Sequence, residues 1–484
     1  MKTILLSFAA LAALVACGGG SSSGNVPVLH AATTVATTGT ITAFGSVYVN
    51  GVRYDVTAAR LSKNGQAVSQ SSLAVGEIAQ VSGQEDSQAG TGIADTVEVE
   101  DNIVGPISTI VVNTSMPNQL TIMGQTVIVN ASTSFGAGIT PADLTGLKVG
   151  DPIEVSGMAD AGGNLAATRI ARASATEALQ VVGPISSLNA TAHTFMINGL
   201  SVDYSAATGS GVATGHPANG DSVVVSGTAF DSTATKLTAL TVNLLGSPAV
   251  TSGGRVELEG LITTFSSSTS FSIGTTPVMT TAATVFKGGS ASSLATNVRV
   301  EVGGTLNAGG VLVADVVQIQ QIAAIELEGP VTAVDSANHL VTVLGVTVTA
   351  DTTTRFEDRS SANVQMFTLS NVNVGDIVEI RGYENPIGSG KVQATRLERV
   401  PAANPAGSVL LRGAFSAATA PMFKILGIAV DATNATFGNV EGGQAPTITT
   451  FFTLAVGKIV DVRGTFAGTT VTATDVRIDN QEDR

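Results

Sequence analysis

The sequence predicts an all-β protein, a tandem array of six small OB-like barrels of five to six strands each. Three observations carry that expectation. A nonapeptide of the form Val-Gly-Asp-x-Val-x-Val-x-Gly recurs six times, ending at Gly83, Gly157, Gly227, Gly304, Gly382 and Gly464, at intervals of 70 to 82 residues. Inside it, apolar and polar residues alternate with the period of two that marks a strand with one buried face. Charged residues make up only 12% of the chain, and Thr, Ala, Val, Ser and Gly dominate, as in short strands joined by small-residue turns.

The N-terminus precedes the array. Lys2 is followed by an uncharged apolar run from Ile4 to Ala16, well short of the roughly 20 residues a spanning helix needs, so residues 1–16 are expected to be a signal peptide. Leu14-Val15-Ala16-Cys17 resembles the bacterial lipobox. That resemblance implies cleavage before Cys17, acylation of Cys17, and attachment through several acyl chains. Gly18 in place of Asp favours sorting to the outer membrane, on its periplasmic or its outer side. Residues 17–36, including the run Gly18–Gly24, are expected to form a flexible tether. Cys17 is the only cysteine, which excludes disulfides, CxxC metal sites and c-type haem attachment.

Each unit then presents the same elements in order. The first strand is centred on a glycine: Gly39, Gly105, Gly183, Gly260, Gly329 and Gly413. A hairpin follows, clearest at 119–129 and 339–350, with a Gly between two alternating runs. The nonapeptide supplies the next strand. Its middle column, Gln80, Glu154, Val224, Glu301, Glu379 and Asp461, is polar in five of six copies, and is expected to face solvent and block edge pairing. Asn297 and Val298 replace Gly and Asp in the fourth copy, which makes its turn less secure. The terminal Gly is expected to close the strand. A last strand carries an alanine in every copy, Ala94, Ala167, Ala239, Ala314, Ala394 and Ala473, which suggests close approach of another strand.

The resulting division is 37–101, 102–175, 176–247, 253–321, 322–400 and 407–480. One unit of this size is marginal alone and gains from contact with its neighbours. Tight junctions near Asp101 and at 319–329, against Pro/Gly/Ala linkers at 246–254 and 401–407, predict rigid groups of units 1-2-3 and 4-5 along a rod, with unit 6 moving separately.

Gly105-Pro106-Ile107, Val149 to Gly157 and Ala167-Thr168-Arg169-Ile170 together resemble the bacterial domain of unknown function 5666. The resemblance spans about residues 38–479 and implies tandem repeats in a secreted protein or lipoprotein. It supplies no catalytic residue.

Composition narrows the function. The net charge is −14, and removing residues 1–16 takes away Lys2 and no acid, giving −15; an acidic chain without a basic cluster repels nucleic acid. The four histidines, His30, His193, His216 and His339, are too far apart for a short-spaced metal motif. The one G-x-S-x-G match, Gly20–Gly24, lies in the tether, and the Gly-Lys pairs at Gly390 and Gly457 do not complete a phosphate loop. Glu98, Glu100 and Asp101, near Glu85 and Asp86, are the carboxylates to weigh for calcium or glycosidase chemistry, but a solvated acidic face explains them, and the absence of Trp leaves no stacking platform. No catalytic residue, metal site or cofactor is therefore expected. The sequence favours a non-enzymatic envelope lipoprotein that binds a protein partner from the outer membrane. The alternatives are a calcium-binding or catalytic first unit, built on Tyr48, Tyr54, Glu85 and Asp86, and an accessory subunit of a surface polysaccharide or secretion system.

Overall fold

A computed structural model of the chain describes residues 33–478 apart from 87–88, 113–117, 131, 142, 175–176, 214, 246–252, 322, 402–406 and 439–445. The expected signal peptide, Cys17, His30, nearly all of the tether and most of both linkers lie outside the described residues.

Alternating apolar residues build the same closed circuit repeatedly. In the first unit, Thr33–Phe44 pairs antiparallel with Val47–Val49, and that strand with Val52–Asp55. Val52–Asp55 runs parallel to the last strand, Thr91–Val99. The last strand pairs antiparallel with Ile78–Asp86, which returns to the first and closes five strands in the order of an OB barrel. A short strand, Arg60–Lys63, lies parallel to the end of the last one. Among the described residues this circuit is met six times, at 33–99, 103–172, 179–244, 255–319, 325–399 and 408–478, hereafter barrels 1 to 6. The first strand of barrels 3 and 6 is broken into two pieces. Barrel 6 carries an α-helix, Ile448–Leu454, where the others have a single 3-10 turn.

Inside each barrel the alternating Val, Ile and Leu are fully buried, as with Val341, Val343, Val378, Ile380 and Leu397 in barrel 5. Each contributes roughly 1.5–3 kcal/mol relative to exposure. The turn before the fourth long strand needs a left-handed residue, and Gly76, Gly150, Gly220, Gly375 and Gly457 supply it. Asn297 holds the same conformation with φ 66° and donates its N–H to Ile262 O, the counterpart of Gly150 N–H to Ile107 O. The fourth copy's turn is thus kept, because Asn tolerates that region better than most side chains.

The barrels join through their first strands, and only in part in the expected groups. Val35–Thr38 of barrel 1 runs parallel to 255–258 of barrel 4. Barrel 2 meets barrel 3 antiparallel at Ile103 and Val104, and barrel 5 meets barrel 6 antiparallel at 326–328. Three sheets of 13, 12 and 13 strands result. Barrel 6 is tied into the sheet of barrel 5, barrel 1 shares its sheet with barrel 4 while Lys63 still holds it to barrel 2, and all belong to one compact unit, so the rod is replaced by a single body. Linker length limits how far a unit can travel; it does not choose the strand it pairs with.

A charged core between the barrels as candidate functional site

The glycine and alanine columns meet in space. Gly83, Gly157, Gly227, Gly304, Gly382 and Gly464 stand directly opposite Ala94, Ala167, Ala239, Ala314, Ala394 and Ala473, and in each barrel the register slips at that pair. A Cβ on the glycine would collide with the partner strand in every copy; at Gly382 it would strike Gln393 O and crowd Ala394 Cα. The glycines do not end their strands, as Ile377–Glu384 and Ile459–Ala467 run on past Gly382 and Gly464. They sit at a bulge, which bends the strand and tightens its twist so that five strands can close. These residues shape the barrel and carry no reactive group.

Chemistry-bearing side chains collect outside the barrels, at the joints. The column expected to face solvent is half-buried in every copy, and Glu154 and Glu379 are held by cations there. Glu154 shares Lys63 with two other carboxylates: Lys63 Nζ lies 2.7 Å from Glu77, 3.3 Å from Asp101 and 3.0 Å from Glu154. Asp101 also accepts from Ser156 Oγ at 2.9 Å and Asn64 Nδ2 at 3.0 Å, and its backbone carbonyl accepts from Gln180 of barrel 3 at 2.7 Å. The three carboxylates lie close enough together to hold a metal ion, but the Lys63 ammonium fills their centre. Burial alone would lower the Lys63 pKa; Asp101, Glu77 and Glu154 outweigh it and hold the ammonium above its ordinary value. Burial, then Asp101, pushes the Glu154 carboxyl up.

At the joint of barrels 1 and 4, Glu259 accepts the Thr40 N–H at 2.8 Å and pairs with Arg299 at 2.6 Å. Burial would raise this carboxyl, yet Arg299 and the Thr40 N–H hold it below the usual range. Nearby, Tyr54 donates to Glu85 Oε2 at 2.9 Å, while Glu85 Oε1 and Glu257 Oε2 are buried with no hydrogen-bond partner. Burial, then Glu85, pushes the Glu257 carboxyl up to about 7, against the pull of Arg255, which Glu257 meets at 3.1 Å.

Barrel 5 reaches into barrel 2 with arginines. Buried Arg355 donates to Ser132 O at 2.7 Å and Ser134 Oγ at 3.0 Å, and Arg396 donates to Thr133 O at 3.0 Å. Arg396 also bridges Glu379 at 2.9 Å and Glu398 at 2.7 Å, and Arg381 ties Glu379 to Glu326. Beyond them, across the sheet that barrels 5 and 6 share, Arg412 faces Asp461, Asp461 faces Arg477, and Arg463 faces Asp475. A cavity of about 610 Å³ lies between this sheet face and residues 139–141, 143 and 144 of barrel 2.

The carboxylates weighed from sequence are thus dispersed. Glu98 is exposed, Glu100 is half-buried beside Gln180, and Asp101 belongs to the Lys63 cluster. Tyr54 and Glu85 come together, whereas Tyr48 packs against the core of barrels 5 and 6. His193 and His339 occupy left-handed turn positions, and His216 binds Asp221 at 2.7 Å. Lys63, Arg355, Arg396 and Glu257 were not singled out from sequence. The one available signal was the sparseness of cations in a chain with 23 Lys and Arg.

A family model described as a domain of unknown function (DUF5666) matches residues 104–171, 259–318, 328–398 and 412–477, together more than half of the chain. The chain belongs to the DUF5666 family. The matched stretches fall on barrels 2, 4, 5 and 6, and barrels 1 and 3 repeat the same strand circuit outside them. In the matched stretches the DUF5666 unit is a closed barrel whose bulge pair is Gly157 with Ala167, Gly304 with Ala314, Gly382 with Ala394, and Gly464 with Ala473. A search of curated proteins finds no match.

Proposed function

We propose that this DUF5666 chain is a non-enzymatic cell-envelope lipoprotein, held at the outer membrane through Cys17, whose barrels form a preassembled scaffold that presents a binding surface to a partner. The observation that carries the reading is how the charged side chains are used: Lys63, Arg299 and Arg355 are committed to fastening one barrel to another. Groups held this way are poor candidates for proton transfer, since catalytic acids and bases need room to exchange protons with a substrate. The Leu14–Cys17 motif supports lipid attachment, and among the described residues no helix is long and apolar enough to cross a membrane.

The anchor is tested by metabolic labelling with a clickable fatty acid, followed by membrane fractionation. Wild type should take up label and sediment with outer membranes. Cys17→Ala should lose both properties while the body keeps its melting temperature. Label retained on Cys17→Ala, or an unlabelled wild type, would reject lipid anchoring at this residue.

A further inference from the structure

The cavity beside barrels 5 and 6 has the dimensions of a ligand site. Its volume, about 610 Å³, lies within the roughly 300–1,000 Å³ of small-molecule sites. Six arginines line it, Arg359, Arg381, Arg396, Arg412, Arg463 and Arg477, a concentration of cations in a chain with only 23 Lys and Arg and a net charge of −14. Two of them have donors to spare. Buried Arg396 keeps its Nε without an acceptor, and exposed Arg463 makes no ion pair among the described residues.

The arginines alternate with acids. Six carboxylates share the lining, so the wall is close to neutral as a whole, with donors and acceptors interleaved. Across the sheet the sign changes at each strand, about 4.8 Å per step, so like charges recur every second strand. A densely charged polyphosphate or sulfated chain would meet the acids and be repelled. A chain with carboxylates spaced among hydroxyls would match: guanidinium groups take the carboxylates in planar pairs, and the wall's own carboxylates accept from hydroxyls.

We propose that this cavity binds a carboxylated oligosaccharide of the uronic-acid type, with Arg463 and the Nε of Arg396 as carboxylate donors. The proposal is independent of where the protein resides, and its test does not depend on lipid anchoring.

Isothermal titration calorimetry on the Cys17→Ala full chain tests it, using trigalacturonate, the uncharged trisaccharide maltotriose, inorganic phosphate and a heparin oligosaccharide. Trigalacturonate should bind, and its affinity should fall with added salt. Arg463→Gln, an exposed change that leaves every ion pair in place, should weaken it about tenfold with an unchanged melting temperature. No heat with trigalacturonate, equal affinity for maltotriose, tighter binding of phosphate or heparin, or an Arg463→Gln variant that binds as wild type does would each overturn the proposal.

Discussion

A hydrogen atom opposite a methyl group is what lets each barrel close. Gly382 and Ala394 show why: the bulge brings the two strands so near that a methyl on residue 382 would strike Gln393 O. Gly382→Ala should therefore cost roughly 1–3 kcal/mol by overpacking, read from chemical denaturation of the full chain. Thr347→Ala, on an exposed strand face of the same barrel, should stay within about 0.5 kcal/mol. This column was readable from the repeats because a residue that is never larger than Gly or Ala in six copies has a steric cause. The hairpin turns were harder to read. Met123, Leu344 and Leu426 adopt φ near +50° before a glycine, a conformation usually signalled by Asn, and the Met123 and Leu344 side chains lie over the bend glycines Gly105 and Gly329.

Alternation along a strand tells which residues point into a barrel. It does not tell what stands outside. Glu154 and Glu379 were placed outside correctly by their period, yet outside is not solvent: Glu154 meets Lys63 of another barrel, 91 residues away, and Glu379 meets Arg396 of its own barrel's next strand. Lys63 is the clearest case, since its three carboxylates sit 14, 38 and 91 residues later in the sequence. Lys63→Met keeps the side-chain volume and leaves Glu77, Asp101 and Glu154 without a counter-charge. It should destabilise the chain by about 3–5 kcal/mol, and adding Glu154→Gln should recover part of that loss. A Lys63→Met variant as stable as wild type would show that these elements do not meet.

At the scale of the whole molecule, the joints make stability depend on pH. Glu257 has an ordinary pKa of 4.5 in the unfolded chain and is pushed up to about 7 in the fold, first by burial and then by Glu85. The folded form therefore keeps the proton that the unfolded form releases, and stability should fall as pH rises from about 4.5 to about 7. Glu85 and Glu398 are shifted the same way by burial. Asp358 and Glu379 are held low by their arginines despite burial, so their contribution is lost as pH falls below the usual carboxylate range. The urea midpoint should accordingly peak near pH 5, and Glu257→Gln should remove roughly 1–3 kcal/mol of the decline between pH 5 and 8. A pH profile identical to wild type would remove Glu257 from the account.

The pairing of barrel 1 with barrel 4, across two intervening units, is what most distinguishes a single body from a string. Thr38 and Leu258 are direct partners on the two parallel strands. Cysteines at both positions, in a chain whose Cys17 is replaced by Ala, should join in an intramolecular disulfide under mild oxidation, seen as a mobility shift that reduction reverses. Free thiols on folded, monomeric protein, or cross-links formed only between molecules, would contradict the arrangement described.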